Sequence, residues 1–291
     1  MRIKQNLYNS LYIVLVTVII TSCSSNSDNG TEGSSTKDSI STASQNEDTV
    51  NQGVLMSLPT PMQIGETYQK AGLKFIPNVT NDVSNYSKYV STFSKTLNLG
   101  IYIADLAYCI LNDQTQAALK YLKTAKQLSL GIGLASVYEA SATLSRFEQN
   151  MNNPDSLDAI MRDLENESSL FMNEGDKKTQ SIIIFAGVWL ESIYVASNIV
   201  QNDKNKGIIS LIGKQKNTLD KLVSLLAGVN KTDIDIVSLT NDFKGLKEHF
   251  ETIEGITKQN SQSKSFEVSI SDEEITTLYA KIAALRTKIV S

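Results

Sequence analysis

The sequence predicts an all-α fold, a multi-helix bundle of packed helical hairpins. Three observations carry that reading. From residue 54 onward apolar residues recur at helical spacing, while alternating runs of the kind that make half-buried strands are scarce. The chain holds only 4 prolines, and two of them, Pro61 and Pro154, stand where first helical turns begin. Ser271 to Glu274 (Ser-Asp-Glu-Glu) forms a capping box that opens a last helix.

Taken in order, the pattern predicts helices over 61–75, 80–96, 99–111, 114–129, 133–151, 154–173, 176–201, 204–228, 232–257 and 272–290. Breaks are expected at Pro77-Asn78, Gly100, Asn112-Asp113, Gly131-Ile132-Gly133, Asn152-Asn153, Gly175, Asn202-Asp203 and Gly228. The stretch 258–270 reads as one long polar loop with a short extended piece at 266–270. Two segments look alike. Gly100-Ile101-Tyr102-Ile103-Ala104-Asp105 leads to Asn112-Asp113 and a second helix. Gly187-Val188-Trp189-Leu190-Glu191 leads to Asn202-Asp203 and another. The offset, about 90 residues, suggests two similar hairpins related by a pseudo-twofold, a possible internal pseudo-repeat rather than a regular solenoid.

The N-terminus carries an address. Arg2 and Lys4 precede an uncharged apolar run, Leu11 to Ile20. That run is too short to span a bilayer, which takes about 20 residues, but suits a signal sequence. Ile20-Thr21-Ser22-Cys23 then reads as a lipobox: a branched apolar residue, two small residues, and the thiol that receives diacylglycerol. Residues 1–22 are expected to be a signal peptide, Cys23 the lipidated residue, and 23–53 a disordered tether. The tether holds no aromatic residue and cannot bury enough apolar surface to offset its ordering entropy. A flexible chain of that length reaches about 30 Å. A diacylated cysteine anchors stably, so the membrane is the expected first partner, through the N-terminal lipid. Ser24 resembles an outer-membrane address. Residues 54–291 are expected to form a single helical domain.

The segments LNLGIYIADLAYCILND (97–113), ALKYLKTAKQLSLGIG (118–133) and IIIFAGVWLESIYVASNI (182–199) together resemble an uncharacterised family of all-helical lipoproteins from Bacteroidota. The likeness covers about residues 60–230 and rests on packing motifs. It implies the fold and an envelope location, and no activity.

Several chemistries are excluded or unsupported. Net charge of -4 argues against nucleic-acid binding, which needs a basic face. A single histidine, His249, and two cysteines leave little for a metal cage, and no metal or cofactor is expected. His249 lies in a charged amphipathic stretch and is expected to be exposed. Neither a GxSxG elbow nor a GxxxxGK[ST] loop is present. Cys109 is expected to be a buried small hydrophobe, since a lipidated Cys23 leaves it no disulfide partner.

Two acids stand out because they interrupt apolar helices. Asp105 has Ile101 one turn before and Tyr108 three residues after; Glu191 has Gly187 and Tyr194 at matching places. A buried carboxylate is costly unless paired, so each needs a partner such as a tyrosine hydroxyl, a helix end, Lys123 or Arg146. One reading is an acidic, aromatic-lined ligand pocket of Tyr102, Asp105, Tyr108, Trp189, Glu191 and Tyr194. The other is a pair of satisfied core acids that fix helix register. The segment 182–200 is long enough to cross a membrane, but Glu191 near its centre marks it as a buried central helix instead. The function expected is a non-enzymatic binding or scaffold role, with an envelope protein as partner and 232–290 as the accessible surface. The alternative is a small-ligand-binding lipoprotein that uses the acidic pocket.

Overall fold

The computed structural model describes residues 53–140, 142–172, 177–229, 232–257 and 268–291. The expected signal sequence, Cys23, the expected tether to residue 52, the expected break at Gly175 and residues 258–267 of the expected polar loop lie outside them. The described chain is helical throughout: α1 (Pro61–Lys70), a 3-10 helix (Val83–Lys88), α2 (Thr92–Leu111), α3 (Thr115–Leu130), α4 (Ala135–Ala140), α5 (Thr143–Gln149), α6 (Pro154–Met172), α7 (Lys178–Asp203), α8 (Lys206–Gly228), α9 (Ile234–Thr252), α10 (Glu254–Thr257) and α11 (Asp272–Val290).

Caps explain many of the starts, the expected Ser271 box among them. Thr60 closes a capping box with Gln63 just before Pro61, and Ser271 does the same with Glu274. Asn153 accepts from the Ser156 N–H at 3.2 Å, ahead of Pro154. Each such cap stabilises a helix end by about 1 kcal/mol. Gly131 caps α3, and Gly133 follows with a left-handed φ of 76°.

α2 and α7 form the centre. α7 is long and apolar enough to cross a membrane by length and composition, yet 78% of its apolar window is buried inside the protein. Its all-round apolarity is therefore that of a core helix. α2 runs unbroken through Gly100, so the expected break there is wrong. A Cβ on Gly100 would lie 2.0 Å from the Ile184 carbonyl oxygen, and one on Gly187 would lie 2.1 Å from the Leu97 carbonyl oxygen and 3.1 Å from the Gly100 Cα. These glycines are the crossing point, and their missing side chains let two helix backbones touch.

The pseudo-repeat is visible in the architecture. α2 pairs with α3 as a hairpin, α7 pairs with α8, and the leading helices of the two hairpins meet. Both hairpin turns pass through a left-handed residue, Asp113 (φ 56°) in one and Lys204 (φ 50°) in the other. Helix α9 continues along α8, and α11 lies across α7 and touches α2 and α9. One hydrophobic core runs from Met62 to Leu285.

Other departures have local causes. α1 stops at Lys70, short of the expected 75, with Gly72 left-handed just beyond. The expected helix 80–96 is instead a 3-10 turn capped by Asp82, then an extended break, then α2 capped by Ser91. The expected helix 133–151 is α4 and α5, parted where Ala142 takes a left-handed φ of 48°. The expected helix 232–257 breaks at Ile253 into α9 and α10. Residues 268–270 are non-helical, and Val268 and Ile270 are buried, with Val268 against the bare backbone of Gly213.

Candidate functional site

Helical arithmetic carries the acids from the glycine crossing to each other. Asp105 stands four residues past Ile101, whose backbone nitrogen would lie 3.0 Å from a Cβ on Gly187, and Glu191 stands four past Gly187, on helices that run in the same sense. The two carboxyls come within hydrogen-bonding reach of each other, both 0% exposed. The partner that sequence reasoning missed is Arg286 on α11. Its Nε and a terminal nitrogen donate to the two oxygens of Glu191 at 2.9 and 2.8 Å, a bidentate fork. The guanidinium also lies over the ring of Tyr194, 4.5 Å from its centroid. Tyr194 in turn stacks on Tyr279, whose hydroxyl accepts from Asn198 at 2.8 Å. The cations named from the sequence are engaged elsewhere: Lys123 pairs with Glu148 and Arg146 with Asp163.

Asp105 is held differently. Its Oδ2 accepts from the Asn81 N–H at 3.0 Å, while its Oδ1 has no donor among the described residues. Burial pushes the Asp105 carboxyl well above the usual carboxylate range, and the neighbouring Glu191 charge adds to this; Arg286 and the Asn81 N–H oppose it. Burial also raises Glu191, against the pull of the Arg286 fork. The fork favours an ionised Glu191, so the shared proton belongs on Asp105. Placed on Oδ1 and turned toward Glu191, it satisfies the one orphaned oxygen and leaves the buried trio neutral overall.

The space in front of Asp105 is filled by the chain itself. The turn at residues 80–82 lies beside it with Asn81 buried, and is held by three tyrosines. The Tyr121 hydroxyl contacts the Thr80 hydroxyl at 2.7 Å and the Asn81 carbonyl at 3.0 Å. Tyr102 donates to the Asp82 carbonyl at 2.8 Å. Asn81 donates through its side chain to the Tyr89 hydroxyl at 2.9 Å, and that hydroxyl reaches the Val290 carbonyl at 3.3 Å. The rings of Tyr89, Tyr102 and Tyr121 pack in a row with centroids 6.3 and 6.0 Å apart.

Of the six residues expected to line one pocket, Asp105, Glu191 and Tyr194 come together around Arg286. Tyr108 turns to the loop after α1, where its hydroxyl accepts from the Ile76 N–H at 2.6 Å, and its ring stacks on Phe75. Tyr102 holds the 80–82 turn. Trp189 points away, donating to Gln215 on α8 at 3.0 Å and packing on Phe243. Tyr102 and Trp189 diverge for one reason: each stands two residues past its glycine, about 200° around the helix, so each faces its own hairpin rather than the crossing. Glu191 and Tyr108, with Gly65 and Tyr68, line a cavity of about 30 Å³. That is the space of about one water. The six residues do not gather into one pocket; Glu191 is held in a buried ion pair with Arg286.

Cys109 is buried, and burial pushes its thiol up to about 12. His249 is half-buried rather than exposed. Its Nδ1 is 3.5 Å from the Thr252 hydroxyl, and burial lowers its pKa. Among the described residues no group of three or more His, Cys, Asp or Glu side chains is placed to hold a metal.

Fold and site together define an all-helical domain built on two hairpins, with a salt-bridged acid pair and an aromatic cluster enclosed at their crossing. No protein family, curated protein or solved structure matches the chain.

Proposed function

We propose that this chain is a lipid-anchored bacterial envelope protein, held through Cys23 in the outer membrane, whose helical part binds a partner protein and catalyses no reaction. The lipobox and the charge-free run before it support the anchor, and the resemblance to helical lipoproteins of Bacteroidota agrees with it. The observation that carries the binding role lies at the α8–α9 turn. Ile234 is 81% exposed and Val237 39%, beside a shallow hollow of about 220 Å³ lined by Leu226, Val229 and Ile236. Exposed apolar side chains gain when a partner covers them, and Ile234 and Val237 both fall within the stretch 232–290 that the sequence marks as accessible. The buried acids support a structural role, since both are withdrawn from solvent and satisfied within the fold.

The test is purification of the lipidated protein from its native envelope in gentle detergent, followed by mass spectrometry of what accompanies it. The expected result is one stoichiometric protein that is lost with Ile234→Asp. A wild-type protein that purifies alone overturns the binding role. Metabolic lipid labelling tests the anchor separately, with Cys23→Ala expected to abolish it.

A further inference from the structure

A second hollow shares no lining residue with the one at the α8–α9 turn. It opens between α2, α6 and α7, with walls of Ile103, Met161, Leu164, Ile184 and Val188 and a volume of about 170 Å³. Leu55 and Met56, where the described chain begins, form its outer rim. Protein interiors seldom keep voids much larger than a water molecule, because the lining forfeits its contacts. An apolar cavity of about 150 Å³ is large enough to take a benzene-sized molecule and stays dry when empty.

The hollow has one polar side, made by Thr60, Glu165, Ser168, Ser169 and Ser181, and most of these groups present acceptors: Ser181, like Ser168, spends its hydroxyl proton on a helix carbonyl, and Thr60 already accepts from the Gln63 N–H. Ser168 spends its hydroxyl proton on the Leu164 carbonyl at 2.6 Å, so its oxygen can only accept. Glu165 accepts from the Met62 N–H at 2.8 Å through Oε1; burial raises its carboxyl, and a cation beside it favours the ionised, acceptor-only form. The polar side therefore complements a donor and repels an anion.

We propose that this hollow is a binding site for a small amphiphile with a hydrogen-bond-donating head, best a primary ammonium, on an apolar body of about six carbons. The ammonium pairs with Glu165 and Ser168, and the body lies against Ile103, Met161 and Val188. This site is separate from the α8–α9 surface and stands or falls independently of it.

The test uses the full chain carrying Cys23→Ala, kept free of detergent and labelled with ¹³C at Ile, Met, Leu and Val methyls. It is titrated with hexylamine, hexanol and hexanoate, which share a tail and differ in head. Expected are saturable shifts centred on Ile103, Met161, Ile184 and Val188, with hexylamine binding about tenfold more tightly than hexanoate. Glu165→Gln keeps the acceptor for Met62 and is expected to erase the preference for the amine. Ile103→Trp fills the hollow and is expected to abolish binding of all three. Ser168→Leu serves as a second blocking variant should Ile103→Trp unfold, which circular dichroism reports. Absence of saturable shifts, hexanoate binding as tightly as hexylamine, or unchanged binding in a folded blocking variant overturns the proposal.

Discussion

Gly100 and Gly187 face each other at the crossing of α2 and α7, and a Cβ on either would lie within 2.1 Å of a carbonyl oxygen of the opposite helix. Backbone atoms cannot step aside as a flexible side chain can. Gly100→Ala and Gly187→Ala are each expected to cost about 3–5 kcal/mol, at the upper end of single-residue effects. Gly245 in α9 is the control, because a Cβ there meets nothing within 4 Å. Gly245→Ala is expected to stabilise by up to about 1 kcal/mol through helix propensity. Urea unfolding of the three variants gives the comparison, and equal effects at all three positions would refute the close crossing.

The Arg286–Glu191 fork is expected to behave as a pair rather than as two independent residues. Arg286→Met strands a carboxylate that is 0% exposed and is expected to cost about 3–5 kcal/mol. Adding Glu191→Leu removes the stranded charge and should restore most of that loss. A double variant no more stable than the Arg286 single variant would show that the damage arises from packing and not from charge.

Asp105 sets a pH dependence with a definite sign. Its folded-state pKa is raised, chiefly by burial, so the folded protein holds a proton that the unfolded chain releases near pH 4. The stabilisation from that proton is fully present below the unfolded pKa and is lost as pH rises toward the folded value. Asp105→Asn keeps an acceptor for the Asn81 N–H and offers a permanent donor to Glu191. It is expected to be the more stable form at pH 8 and to flatten the decline in stability between pH 5 and pH 8. Thermal midpoints across that range check it; a wild-type and variant that decline in parallel would place the proton elsewhere.

Cys109 is expected to resist dithionitrobenzoate at pH 8 in the folded Cys23→Ala chain and to react on addition of urea. Its thiol is buried and pushed up to about 12, so thiolate, the reactive form, is scarce. Reaction at the rate of a free thiol in native buffer would mean that α2 opens readily to solvent.

The sequence made the helical class, the capped starts and the two hairpins legible because each leaves a local signature: a cap residue, a proline, an apolar period. The same was true of Asp105 and Glu191, two acids interrupting apolar runs. Gly100 was misread because glycine breaks helices and also permits their closest approach, and only the facing Gly187 distinguishes the two. The divergence of Tyr102 and Trp189 was present in the sequence as a two-residue step from each glycine, which puts them on the face away from the crossing. Arg286 left no such signal. It lies 95 residues from Glu191, on a helix whose charges look like a solvated face. The 80–82 turn was hidden for a similar reason, since its place is fixed by Tyr102 and Tyr121 from two other helices.

That distance along the chain between Glu191 and Arg286 orders events during synthesis. A ribosome emits α7 well before α11, so the central helix emerges carrying an acid whose counter-charge does not yet exist. Until α11 arrives, burying α7 means paying for a lone carboxylate or capturing a second proton. The closing of the two hairpins is therefore coupled to the docking of a helix that follows 95 residues later, and Glu191 and Arg286 must be buried together.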